Sequence, residues 1–170
     1  MLLLPEYQLH NGSALDRSTL VKFLQRCYEE LFPEQIYDHL AQTVDKYLSK
    51  DTPIWWVEFL GSQTETEGKS RAEKFSNWIG CLWLGNAIDQ VRGDRHAHIF
   101  LLYVMPSHRR QGVGTALMRR AEEWAMARGD RQIGLQVFQN NQAALNLYHQ
   151  LGYHSQSLMM VKPLFPKPPV

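Results

Sequence analysis

One stretch limits what this chain can fold into more than any other. His96-Ala97-His98-Ile99-Phe100-Leu101-Leu102-Tyr103-Val104 is followed, after a break at Pro106, by Gly112-Val113-Gly114. The first nine residues are apolar and branched or aromatic enough for a strand covered on both faces, and Pro106, with no N–H to donate, releases the chain from it. Beyond the glycines, Val113, Leu117, Ala121 and Trp124 recur at helical spacing as far as about Arg128. A strand, a glycine turn and a helix start in this order form an anion site, because the first helical N–H groups lack partners and lie at the positive end of the helix dipole. Gly112 and Gly114 carry no side chain to hold an anion off. Arg109 and Arg110 flank the turn, and residues 95–121 hold five arginines and no acid. A tight turn with surface arginines is the plain alternative.

The remaining elements follow from periodicity and punctuation. Gly129-Asp130 leads into a strand over 132–138, Asn141 opens a short helix ending at Gly152, and residues 153–163 read as a last strand. Upstream of the glycine turn, a short strand near 7–9 precedes a helix capped by Asp16, with Leu20, Leu24, Cys27 and Leu31 on one face, which Pro33 stops. A second helix is expected over 35–48, with Ile36, Leu40, Val44 and Tyr47 on its apolar side. The aromatic runs at 54–60 and 78–84 predict an antiparallel hairpin. The polar residues 61–77 between them predict a flexible surface loop, for which a lid and a plain solvated loop are both open readings. The order βααβββαβαβ implies an α/β (α+β) fold with a mixed central sheet and helices on both faces.

A chain of 170 residues, 44% hydrophobic and 21% charged, supplies one core, so a single domain over 1–170 with a Pro-rich tail at 163–170 is expected. A net charge of +1 provides no global field toward nucleic acid or an anionic membrane. The charge is uneven, however: residues 1–94 carry 9 basic and 14 acidic groups, and residues 95–170 carry 9 and 3. No apolar run reaches the roughly 18 residues of a membrane span, and Met1-Leu2-Leu3-Leu4 is cut off by Pro5 and Glu6, so a cytoplasmic protein is expected. Cys27 and Cys81 form no metal-type cluster and read as reduced thiols.

Two phosphate motifs fit the glycine turn badly. A dinucleotide fingerprint needs a third glycine where Leu117 stands, and a P-loop needs a Gly-Lys-Ser/Thr that is absent. The stretch Val104-Met105-Pro106-Ser107-His108-Arg109-Arg110-Gln111-Gly112-Val113-Gly114-Thr115-Ala116-Leu117 instead closely resembles the acetyl-CoA motif of the GNAT N-acetyltransferase superfamily, Arg/Gln-x-x-Gly-x-Gly/Ala. Asn141-Gln142-Ala143-Ala144-Leu145-Asn146-Leu147-Tyr148 with Leu151-Gly152-Tyr153 resembles the family's other signature, an Asn-x-Ala-Ala-x-x-Leu-Tyr helix ending in Leu-Gly-Tyr/Phe. The motifs cover about residues 96–153, and the N-terminal half matches in element order alone.

The resemblance implies a GNAT-type acyl-CoA N-acyltransferase fold, acetyl-CoA as acetyl donor, and an amine acceptor that is either a small molecule or a protein or peptide. It places the CoA pyrophosphate on the backbone of Arg109, Arg110, Gln111, Gly112, Val113 and Gly114, with Thr115. A bulky residue at Gly114 would then obstruct the ligand, and Arg109→Ala would weaken binding in a salt-sensitive way. It assigns the pantetheine arm to the backbone of Leu102, Tyr103 and Val104 and to Asn141 and Ala144. Tyr148 is implied at the thioester sulfur, where a phenol can protonate the departing thiolate; a core aromatic is its alternative role. His98 stands where many members carry a carboxylate and is the candidate base, with a structural histidine equally open. No metal is expected, although His96 and His98 share one side of a strand. Glu29, Glu30, Glu58, Trp83 and Tyr28 are candidates to contact an amine. A non-catalytic acyl-CoA-binding module with the same fold is the competing reading. Neither a nucleic-acid nor a membrane partner is expected, and a homodimer through the last strand is open.

Overall fold

A computed structural model of the chain describes residues 1–62 and 77–165. The loop expected over 61–77 lies, apart from its ends, outside the described residues, as does the end of the Pro-rich tail. Six strands form one sheet in the order β1 (Leu2–Leu4), β2 (Tyr7–Asn11), β3 (Ile54–Phe59), β4 (Trp78–Ile88), β5 (Arg95–Val104) and β6 (Ile133–Leu135). All neighbours are antiparallel except β5 and β6, which run parallel. That parallel pair requires a crossover, and α3 (Val113–Ala127) supplies it. Helices α1 (Arg17–Leu31) and α2 (Leu40–Tyr47) precede β3, and α4 (Gln142–Gln150) follows β6.

The sheet is covered on both faces, as the element order predicts. On one face Val113, Leu117, Met118, Ala121 and Ala125 of α3 pack with Trp55, Val57, Leu82, Leu84, Ala97 and Ile99. On the other, Leu20, Phe23 and Leu24 of α1 and Leu40 and Val44 of α2 pack with Trp56, Cys81, Trp83, Leu101 and Tyr103. Cys27 and Cys81 are both free thiols. Ile99 and Leu101 are two residues apart yet belong to opposite faces. The ladder explains this, since Ile99 pairs with Leu84 and Leu101 with Trp83, leaving Phe100 as an extra residue. This bulge turns β5 over and bends it.

Four expectations are corrected. β1 had no predicted counterpart; among the described strands it pairs with β2 alone. The second helix starts at Leu40 rather than at 35, and Ile36 is 78% exposed. The cause is Tyr37, whose hydroxyl donates to the carbonyls of Tyr28 and Phe32 at the open end of α1 and so holds the intervening residues in a connection. β6 is three residues long instead of seven, because the bulged β5 leaves it after the Ile99–Leu135 pair. The last strand, expected over 153–163, is absent. Tyr153 packs against the core, but residues 154–165 pair with no described strand, and Leu158 and Met160 are 74% and 90% exposed. An apolar pattern makes a strand only where an edge receives it.

Candidate functional site

The bulge and the short β6 create the site. Beyond Ile99 and Leu135 the two parallel strands part, and the slot between them is lined by residues 99–102 of β5, by Leu135 at the end of β6 and by residues 136–138 that follow it. Leu24, Cys27, Tyr28 and Leu31 of α1 close one side, and Asn141, Ala144 and Tyr148 close the other. Its volume is about 100 Å³, well below the ~300–1,000 Å³ of ordinary small-molecule pockets. Such a slot suits a thin extended chain that uses the unpaired strand backbone.

At the end of β5, Pro106–His108 form one 3-10 turn, and the chain passes through left-handed backbone at Arg110 (φ 64°) and Gly112 (φ 84°) into α3. Only a residue without a Cβ takes the second of these at no cost. The first N–H groups of α3 therefore emerge at the mouth of the turn. Tyr7 of β2 braces it from below, its hydroxyl contacting His108 Nδ1 at 3.1 Å and donating to Gln111 Oε1. Arg110 and Gln111 are exposed, and Thr115 is half-buried. A Cβ on Gly114 would meet Leu147 Cδ2 at 3.3 Å, so this glycine also lets α4 approach α3. From the sequence, ligand clearance is the one role expected of Gly114.

Arg109 is engaged within the protein. Its Nε donates to the Val104 carbonyl at 2.8 Å, and its Nη2 donates to both oxygens of Glu30 on α1 at 2.9 and 2.7 Å. The same carboxylate accepts from the Tyr103 hydroxyl at 2.7 Å. Burial, and then this hydrogen bond, push the Tyr103 phenol up to about 12.

Asn141 caps α4, its Oδ1 accepting from the Ala144 N–H at 3.2 Å. Tyr148 lies two turns on, 9% exposed, and burial followed by the neighbouring Cys27 raises its phenol to about 12. A phenol so placed holds its proton at neutral pH and can donate it. Burial also raises the Cys27 thiol, to about 11, which leaves it a poor nucleophile.

His98 is not among the residues lining the slot. It sits on the paired part of β5 between Gly85 and Gly134, its ring 5.0 Å from that of Phe100. Burial, and then His96, lower its pKa, so it is neutral at pH 7. Of the candidate amine contacts, only Tyr28 lines the slot. Glu30 is held by Arg109 and Tyr103, Glu58 lies 2.9 Å from His10, Glu29 accepts from Gln25, and Trp83 is 1% exposed. Among the described residues no group of three or more His, Cys, Asp or Glu is placed to hold a metal. No described helix is long and apolar enough to cross a membrane. The slot-lining residues to which the motifs did not point are Leu24, Cys27 and Leu31 of α1, residues 99–101 of β5 and the segment 135–138, whose ordinary core pattern gave no signal of a gap.

The family model described as Acetyltransferase (GNAT) family matches residues 18–153. The chain is 28% identical over 132 residues to an uncharacterized N-acetyltransferase of Methanocaldococcus jannaschii, covering 74% of this chain and 56% of that one. The chain spans between 12% and 56% of the length of the first curated relatives it matches. The solved structure of a putative acetyl transferase from Pyrococcus furiosus superposes with a TM-score of 0.63 at 26% identity, over 94% of this chain and 100% of that one. An aminoglycoside N-acetyltransferase solved in complex with CoA shares the fold, with a TM-score of 0.63 at 15% identity over 94% and 95% of the two chains.

Proposed function

The chain belongs to the GNAT acetyltransferase family, and we propose that it transfers the acetyl group of acetyl-CoA to a primary amine by direct attack within a ternary complex. The observation that supports this reading is a slot between the parted strands walled by Asn141, Ala144 and Tyr148, in a chain whose α3 starts through left-handed backbone at Arg110 and Gly112. The two features suit the two ends of a CoA molecule. The N–H groups from Gly112 to Thr115 receive the diphosphate, and Arg110, which makes no ion pair among the described residues, adds charge. The edge of β5 from Leu102 to Val104, on the side away from β4, takes the pantetheine arm as an added strand would be taken. Asn141 has its carbonyl committed to the α4 cap and offers its NH2 to the arm beside Ala144.

For the chemistry, the amine nitrogen forms a bond to the thioester carbon while the carbon–sulfur bond breaks. Tyr148 gives its proton to the departing thiolate. The amine proton goes to His98 through water, because His98 is off the slot and neutral at pH 7. A thiol-release assay with acetyl-CoA across a panel of primary amines, read together with mass spectrometry of the amines, tests the reading. Amine-dependent release with an acetylated product is expected; CoA binding without release would favour a binding module.

A further inference from the structure

Glu30 and Arg109 do more than join α1 to the turn. Arg109 spends its Nε on the Val104 carbonyl, at the end of the backbone that the pantetheine arm would use, and both Nη2 contacts on Glu30. Glu30 in turn is the acceptor for Tyr103 on β5. These contacts neutralise the cation expected at the diphosphate and cover a carbonyl of the arm's track. The pair is open to solvent, with side chains 42% and 37% exposed, so a polyanion can reach it. A two-pronged carboxylate and a diphosphate are rival ligands for one guanidinium.

We infer that Glu30 is a gate on the cofactor site: it holds Arg109 over the Val104 carbonyl, and the CoA diphosphate must take Arg109 from it before the arm can lie along β5. This rests on the cofactor reading above. The exchange trades one ion pair for another, so Arg109 contributes less to CoA affinity than a free arginine would. It also couples α1, which walls the slot, to cofactor occupancy, and such coupling acts in both directions.

A static brace and a gate predict opposite signs. In Glu30→Gln the rival charge is gone while the shape and the Tyr103 contact remain. The gate predicts that CoA binds about threefold tighter, the scale of an exposed ion pair, with steeper salt dependence. A double-mutant cycle adds a second reading: Arg109→Ala costs more affinity in the Glu30→Gln background than in the native one. Calorimetry with CoA at several salt concentrations measures both, with thermal melts to confirm that each variant is folded. Unchanged or weaker CoA binding in Glu30→Gln, or an equal Arg109→Ala penalty in both backgrounds, overturns the gate. If the native protein binds no CoA at all, the cofactor reading falls and takes the gate with it.

Discussion

Tyr148 and His98 are shifted by the same force in opposite chemical directions. Burial penalises the charged form of each, which keeps the phenol protonated to about 12 and keeps the imidazole neutral below its usual 6.5. For Tyr148 this predicts that kcat shows no alkaline loss up to about pH 10, the ordinary tyrosine value; a fall near pH 9 would show that another acid limits the rate. For His98 the consequence is a stability slope. As pH falls below 6.5 the unfolded chain takes up a proton that the folded chain accepts only at lower pH, so stability drops there. Denaturant titrations between pH 7 and 5 should show this fall, and His98→Asn should flatten it. That Gly112 ends the turn, that Asn141 opens α4 and that Tyr148 follows two helical turns on was legible in the sequence, because each position belongs to a motif whose spacing is fixed by one turn or one helix. The Glu30–Arg109 pair was not, because its partners lie 79 residues apart and neither local pattern points to the other.

Among the elements, the bulge in β5 decides the most and announced itself the least. Phe100 is an ordinary strand residue between ordinary strand residues, and only the partner register of β4 makes it extra. The parted strands and the three-residue β6 follow from it, and so does the slot. The helix pair α3 and α4 was easier to read, since Leu117 and Ala121 mark the buried face and Asn141 marks a cap. The packing of α3 gives two predictions. Leu117→Ala, fully buried, should cost about 2–5 kcal/mol in chemical denaturation. Gly114→Val should destabilise by about 1–3 kcal/mol through the clash with Leu147. Leu147→Ala should then restore much of that stability; if stability is not restored, the clash lies elsewhere. CoA affinity that stays low in the repaired double variant would show that Gly114 also clears the ligand.

For the molecule as a whole, the layered architecture was readable from element order, because alternating helices and strands leave few ways to cover both faces of one sheet. The fate of the last segment was not, since its apolar pattern fits a strand but residues 154–165 are exposed throughout. Removing everything after Tyr153 should therefore leave the melting temperature of the domain within about 2 °C, a shift of about 0.5–1 kcal/mol for a domain of this size. A larger drop would mean that the segment packs on the body. The uneven charge also takes on a structural meaning, because the arginine-rich stretch 95–121 contains the turn proposed to receive the CoA diphosphate, while Glu30 from the acidic half reaches across to it. The most direct measurement is steady-state acetyl transfer to a reactive amine by the native protein and by Tyr148→Phe, with CoA affinity determined for both. Acid catalysis by Tyr148 at this slot predicts a kcat lower by about 100-fold or more, with CoA affinity changed by less than about threefold. An unchanged kcat in Tyr148→Phe would contradict it.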